Sequence, residues 1–460
     1  MRIAIKTAIG TAITLCLLTA SLAAQVSSFE GVWSGTLATG GQKLRIVLNV
    51  KRDKGNLSAT MDSPDQGALG LPLDSVSIVE NRVHFSSKAM GISYEGVLTA
   101  DHIKGTFAQR DAKIPLAFDR GALKAARRPQ YPTAPLPYNS EEVTVSNGQL
   151  RLAGTFTRPK TGGPFTTILL VAGSGPQDRD ETIFNQKPFL VLSDYLTRAG
   201  YAVLRLDKRG TGKSAGDFRA SGLEEFTSDA IAAVAWLKAR PDVNARRIGV
   251  LGHSEGGVVA PLVAVRSSDV AFVIMLGGPA EPFDKLLTEQ STAFLRAQGA
   301  PDAVIEADQQ IRREEFVILG REPDEARARE RLQQLFSEWN SKQPELTALL
   351  IAGVGNLLTP EVRSLLAHSP SVPLRDLRCP ILAVYGGKDL QVPAASNLPA
   401  AAAALTDGHA ESFTLVNLSG LNHLFQTART GNLEEYAQSE ETISPRALDT
   451  IAAWLRTNVK

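Results

Sequence analysis

Arg247-Ile248-Gly249-Val250-Leu251 runs directly into Gly252-His253-Ser254-Glu255-Gly256-Gly257, and Val-Val-Ala-Pro-Leu-Val-Ala-Val follows. A short apolar strand therefore meets a Gly-x-Ser-x-Gly turn, with a helix immediately after it. This context predicts a nucleophile elbow, a tight strand-to-helix turn that holds a serine hydroxyl out above a sheet. Such a turn strains the backbone and crowds its neighbours, so glycine flanks the serine. Ser254 is the candidate nucleophile.

A second match, Gly212-Lys213-Ser214-Ala215-Gly216, lies in a charged, glycine-rich loop after the strand expected over 201–207. The residues after it do not read as a helix, so Ser214 is a decoy. The same stretch ends like a phosphate-binding loop, but the first glycine of that motif would fall on Asp207, and the phosphate reading fails.

Outward from the elbow, strands expected over 167–172, 202–207, 247–251, 272–276, 381–385 and 413–418 alternate with amphipathic helices near 189–198, 223–238 and 445–457. Ser444 is the expected N-cap of the last helix, with Pro445 in first position. Buried strands between helices predict an α/β fold, a mostly parallel sheet with helices on both faces. Residues 282–373 are rich in Glu, Arg, Gln, Leu and Ala and read as several helices, expected to form a lid over the strand ends. Upstream, 142–145 and 150–157 flank Asn147-Gly148, a hairpin signal. Residues 121–140 carry four prolines and read as a linker, and residues 25–120 read as a small antiparallel β-domain of short strands and turns. The catalytic domain is then 141–460.

At the N-terminus, Arg2 and Lys6 precede an apolar run, and small residues follow in Ala20-Ser21-Leu22-Ala23-Ala24. This is the layout of a secretory signal peptide over residues 1–24, which implies a periplasmic or extracellular protein with no stable membrane span after cleavage. Its removal leaves Cys379 as the remaining cysteine, so an internal disulfide is excluded. The 460 residues carry a net charge of +1, which gives no reason to expect a nucleic-acid partner. The sequence assigns no oligomeric state.

A serine nucleophile needs a base, and the base needs an orienting acid. Of the six histidines, His84 and His102 belong to the β-domain, His368 to the expected lid, and His409 to the turn before the last strand. His253 precedes the nucleophile, where the elbow turns it away towards a packing or hydrogen-bonding role. His423 remains, just past the end of the last strand. Asp389 follows the 381–385 strand at the carboxyl edge of the sheet, whereas Asp376 and Asp407 lie at the wrong ends of their strands. The oxyanion donors are expected to be the backbone N–H of Glu255 and, from the loop Gly173-Ser174-Gly175-Pro176, that of Ser174. The Glu255 side chain is expected to serve as a helix N-terminal charge and to border the pocket.

With these segments in place, the chain resembles serine esterases of the α/β-hydrolase fold, of the secreted bacterial esterase D type that carries an extra N-terminal domain. The resemblance covers roughly residues 141–460. It rests on Val-Ala-Gly-Ser-Gly-Pro-Gln-Asp-Arg-Asp-Glu181, Arg-Leu-Asp-Lys-Arg-Gly-Thr-Gly-Lys-Ser214, Gly-His-Ser-Glu-Gly-Gly257, Gly-Gly-Lys-Asp-Leu-Gln-Val-Pro393 and Gly-Leu-Asn-His-Leu-Phe-Gln426. It implies Ser254, Asp389 and His423 as a triad and hydrolysis of small-molecule carboxylic esters of small to medium acyl chains, with no cofactor and no metal. Ala172 departs from the His that many relatives of the wider fold carry at the oxyanion loop. Alternatives carrying the same triad are a serine peptidase or amidase and a lactone or thioester hydrolase. A non-catalytic envelope-binding protein on the same fold is a further alternative, disfavoured because all three triad residues are present.

Overall fold

The computed structural model describes residues 28–459 apart from 40–41, 65–67, 89, 110–111 and 122–126. The expected signal peptide lies outside the described residues. The chain divides into two compact units, Met1–Ala125 and Ala126–Lys460.

The first unit is an antiparallel sheet of nine strands. They are β1 (Gly31–Thr39), β2 (Gln42–Asp53), β3 (Asn56–Ser63), β4 (Ala68–Pro72), β5 (Ser75–Val79), β6 (Arg82–Ser87), β7 (Ile92–Thr99), β8 (His102–Gln109) and β9 (Ala112–Arg120). Their order is β4-β3-β2-β1-β9-β8-β7-β6-β5, so two meanders join where β1 pairs with β9. Alternate side chains of the strands meet in a core built on Trp33, Phe85, Tyr94 and Phe118. The two polar tips there are satisfied, since Trp33 Nε1 donates to the Phe29 carbonyl at 2.8 Å and Tyr94 Oη to that of Leu116 at 2.9 Å.

The second unit opens with the hairpin β10 (Asn139–Asn147) and β11 (Leu150–Arg158); the hairpin that Asn147-Gly148 predicts is present, with its two-residue turn at Gly148-Gln149 because Asn147 still pairs with Leu150. Then come β12 (Phe165–Val171), α1 (Pro188–Arg198), β13 (Ala202–Leu206), α2 (Leu223–Lys238), β14 (Val243–His253), α3 (Gly256–Arg266) and β15 (Val270–Leu276). The sheet order is β10-β11-β13-β12-β14-β15-β16-β17, where β16 is Ile381–Gly386 and β17 is Phe413–Leu418. From β13 to β17 every pairing is parallel, and β11 meets β13 antiparallel. The parallel strands are apolar runs because both faces are covered. On one side α2 and α3 press Phe226, Val234, Val259 and Val263 onto the sheet. On the other, α1 contributes Leu192 and Leu196, and α12 (Pro445–Asn458) contributes Ile451 and Leu455. Each such side chain contributes about 1.5–3 kcal/mol when fully buried. Residues 127–138 belong to this second unit: Gln130 Oε1 accepts from the Thr442 amide at 2.6 Å, and its Nε2 donates to the Ile443 carbonyl at 2.7 Å.

Between β15 and β16 the chain forms α4 (Phe283–Ala297), α5 (Asp302–Arg321), α6 (Glu325–Asn340), α7 (Pro344–Leu357), α8 (Pro360–Leu366) and α9 (Ser371–Asp376). Ile311, Leu332, Phe336 and Leu358 give helices α5–α7 a small core of their own. The remaining helices are α10 (Ala394–Thr406) and α11 (Leu433–Gln438). Ser444 does occupy the N-cap position of α12, yet its side chain makes no capping hydrogen bond; its amide instead donates to the Phe425 carbonyl at 2.8 Å. Among the described residues no helix is long and apolar enough to cross a membrane.

Candidate active site

The parallel strands end at one edge of the sheet, and each of four ends delivers one part of the site. The loop after β12 carries Gly173 and Ser174, that after β14 carries Ser254, that after β16 carries Asp389, and that after β17 carries His423.

Ser254 has φ +54°, in the left-handed region that a non-glycine residue occupies only under constraint. Its amide donates to the Leu276 carbonyl at 2.9 Å, and its carbonyl accepts from Gly257 at 2.8 Å. Glycine is required on both sides of it. A Cβ at Gly252 would lie 1.8 Å from the Gly256 carbonyl oxygen, and one at Gly256 would lie 2.0 Å from that of Val171. The turn is thus packed backbone against backbone, and α3 starts directly after it.

His423 Nδ1 and Asp389 Oδ2 are 2.7 Å apart, and both side chains are buried. The other carboxylate oxygen of Asp389 accepts from the amides of Gln391 and Val392, each at 2.8 Å. The acid is thereby fixed in orientation, and Nδ1 of His423 is assigned as the protonated nitrogen. His423 and Ser254 line one cavity of about 660 Å³, together with Ser174 and Glu255. Of the five residues expected from the sequence, Ser174, Ser254, Glu255 and His423 line this cavity, and Asp389 reaches it only through its contact with His423.

On the loop after β12, the amides flanking Ser174 are already engaged. Gly173 donates to Glu181 Oε1 at 2.6 Å and Gly175 to Glu361 Oε1 at 2.8 Å. Glu255 stands at the N-cap of α3 but makes no side-chain capping bond, and its carboxylate is held by Lys208 Nζ at 2.8 Å, with both groups nearly buried. The ammonium also lies 4.5 Å from the centre of the Phe226 ring.

Sequence reasoning gave no role to Glu181 or Glu361. Glu181 Oε1 also meets His253 Nδ1 at 2.9 Å, while His253 Nε2 meets the His423 carbonyl at 2.9 Å. Both ring nitrogens of His253 thus face acceptors, an arrangement that the doubly protonated imidazolium satisfies. Burial opposes that charge, but the Glu181 carboxylate outweighs it and holds the His253 pKa above its ordinary value. His253 therefore has the hydrogen-bonding role its position predicts, tying Glu181 to the backbone of His423. Glu181 closes one of the sequence blocks quoted above, but nothing local shows its pairing with His253, which lies 72 residues away.

A parallel sheet of this order, with a strained serine on its elbow and a His–Asp pair beyond, defines the protein as an α/β-hydrolase. The chain belongs to the X-Pro dipeptidyl-peptidase (S15) family, whose model matches residues 147–396 and so stops short of His423. Esterase EstD of Thermotoga maritima is 28% identical over 361 residues, covering 75% of this chain and 74% of that protein. The esterase resemblance drawn from the five sequence blocks is borne out by this relative. The putative hydrolase YtaP of Bacillus subtilis is 30% identical over 131 residues, 25% of this chain and 44% of YtaP. Among solved structures, an esterase of Pyrococcus furiosus is 15% identical, covering 74% of this chain and 100% of that chain with a TM-score of 0.43.

Proposed function

We propose that this chain hydrolyses carboxylic esters through an acyl-enzyme formed on Ser254. The reading rests on the 2.7 Å contact between His423 Nδ1 and Asp389 Oδ2, made beside the cavity that Ser254 lines. With its Nδ1 proton held by Asp389, His423 presents a basic Nε2 that takes the Ser254 proton as Oγ attacks the ester carbonyl. The oxyanion then accepts from the amides of Ser174 and Glu255, each such donor being worth about 2.7–4 kcal/mol. His423 returns the proton to the leaving alcohol and next activates water for deacylation. No step requires a cofactor.

Helices α4–α8 act as a lid in this reading. They supply an apolar wall that includes Leu286, Phe294, Leu346 and Leu350, suited to small or medium acyl chains. The layout of residues 1–24 supports export to the periplasm or beyond.

A second reading, peptidase action, is favoured by the family model. Two carboxylates line the cavity beside Ser254: Oε1 of Glu181 is engaged by His253 and Gly173 and Oε1 of Glu255 by Lys208, while Oε2 of each is buried without a hydrogen-bond partner among the described residues, so substrate turnover decides between the two readings. The test is turnover of p-nitrophenyl esters beside peptide p-nitroanilides, with fluorophosphonate labelling, for wild type and Ser254→Ala. Ester turnover and labelling that both vanish in the variant are expected. Anilide turnover without ester turnover would move the assignment to a peptidase, and activity surviving in Ser254→Ala would refute the nucleophile.

A further inference from the structure

The cavity that Ser254 opens into is apolar over much of its wall, yet α5 brings a charged cluster into it. Asp308, Arg312 and Glu315 occupy positions i, i+4 and i+7 of α5 and so share one face of that helix. Arg312 Nε donates to Asp308 Oδ2 at 3.2 Å, and its Nη2 donates to Ser291 Oγ of α4 at 3.1 Å. Asp308 and Arg312 both line the cavity, as do Ser291 and Gln298.

The cluster is unfinished. The Asp308 side chain is wholly buried, and its Oδ1 has no hydrogen-bond partner among the described residues. Both carboxyl oxygens of Glu315, also fully buried, are unpartnered in the same sense. Burial pushes Glu315 up to about 7, with Arg312 opposing and Asp308 adding to the shift. An orphaned carboxylate oxygen in the interior costs about 1–3 kcal/mol or more unless a donor arrives to meet it. Such a cost is tolerated where a ligand supplies that donor.

We propose that the wall formed by α4 and α5 is a subsite for a hydroxyl group carried on an otherwise apolar ester. This inference rests on the ester-hydrolase reading above. The signs in the cluster select the ligand. An ammonium would meet Asp308 but also the Arg312 guanidinium that already pairs with it. A carboxylate would meet Arg312 but also Asp308, with Glu315 buried behind them on the same helix face. A hydroxyl does both jobs without charge: it donates to Asp308 Oδ1 and accepts from Arg312 or Ser291. The hydroxyl arrives on either side of the scissile bond, on the acyl chain or on the alcohol.

The test compares p-nitrophenyl alkanoates with their ω-hydroxy, ω-amino and ω-carboxy counterparts over a series of chain lengths. A second arm compares acetates of alkanols with monoacetates of the matching α,ω-diols, using wild type and Asp308→Leu. A hydrogen bond to a charged acceptor predicts a kcat/KM for the hydroxylated ester roughly tenfold above its parent at the length that spans the cavity. The arm in which the preference appears tells acyl from alcohol. In Asp308→Leu the ratio of hydroxylated to parent turnover should fall to about one. The proposal is overturned if parent esters win at every length in both arms, if ω-amino or ω-carboxy esters win, or if the ratio survives in Asp308→Leu. Should that variant fail to fold, the wild-type ratios alone decide. If no ester is turned over at all, the proposed function fails, and the subsite is read separately from thermal melting. A diol that raises Tm more than the matching alkanol supports the subsite; equal shifts overturn it.

Discussion

The carboxyl group of Glu361, carried on α8, accepts the backbone amide of Gly175 at 2.8 Å, so a helix of the insertion grips the loop that presents Ser174. Its Oε1 lies 3.9 Å from Lys208 Nζ, and Glu255 completes the charged surroundings. Burial first, and then the neighbouring Glu255 carboxylate, hold Glu361 up to about 7, against 4.5 for an ordinary glutamate. A folded-state pKa raised in this way means that the native protein binds the extra proton. The stability it contributes is full below 4.5 and is lost as pH rises to about 7. Glu361→Gln keeps an acceptor for Gly175 and cannot ionise. The difference in stability between wild type and variant should therefore change by about 1–3 kcal/mol across that window. Thermal melts of both proteins from pH 4 to 8 check this. Parallel melting curves at every pH would refute it.

Glu181 is the corresponding support from within the sheet edge, since one of its oxygens meets both the Gly173 amide and His253 Nδ1. Glu181→Ala leaves the buried Gly173 amide and Nδ1 of the buried His253 unpartnered, at a cost of about 1–3 kcal/mol for each group. The loop that offers Ser174 also loses its anchor, and kcat should fall by roughly ten- to a hundredfold with KM little changed. Glu181→Gln tests the charge itself. The His253 pKa is raised in the fold, so the stability of that pair is present at acid pH and is lost as pH rises through the folded value. The glutamine variant should show less of this alkaline loss. Imidazolium signals of His253 followed by NMR in both proteins provide the check.

The two Gly-x-Ser-x-Gly matches have opposite fates, and substitution separates them. Ser214 is built into the backbone: its Oγ donates to the Asp207 carbonyl at 2.7 Å and accepts the Ala153 amide at 2.9 Å. Its loop wraps Asp207, whose carboxylate also takes the Lys213 amide and the Arg179 side chain. Ser214→Ala should therefore retain fluorophosphonate labelling and ester turnover while losing about 1 kcal/mol of stability. Loss of labelling in Ser214→Ala with a folded protein would contradict this assignment.

What the sequence showed and what it hid follow one physical division. Ser254, Asp389 and His423 were legible because each sits where an apolar run stops at a glycine-rich turn, a local signal. The strands β14 and β16 declared themselves in the same way, as runs buried on both faces. Glu361 and Gly175 lie 186 residues apart, and nothing near either marks the other. The orphaned oxygens of Asp308 and Glu315 are hidden for a related reason, because on α5 they look like the solvated charges of any amphipathic helix. Ser444 shows a finer limit: residue type placed the cap, but the bonds actually made depend on Phe425 packing against it.

Asp389→Asn offers the sharpest test of how His423 is held. The Oδ1 position accepts two amides, from Gln391 and Val392, each at 2.8 Å. An asparagine must keep its carbonyl oxygen there, since an NH2 group would face two donors. Its NH2 is then forced to the Oδ2 position, 2.7 Å from Nδ1 of His423. Nδ1 must now accept, so the proton of neutral His423 moves to Nε2, the nitrogen that has to receive the Ser254 proton. Binding and fold survive, but the base is in the wrong tautomer, and kcat should drop by about 10⁴. Turnover of p-nitrophenyl esters and burst labelling by a fluorophosphonate measure the loss, with far-UV circular dichroism as the control for folding. Rescue at high pH, where a deprotonated nucleophile no longer needs the base, is the accompanying expectation; a folded Asp389→Asn with wild-type turnover at neutral pH would remove Asp389 from the triad.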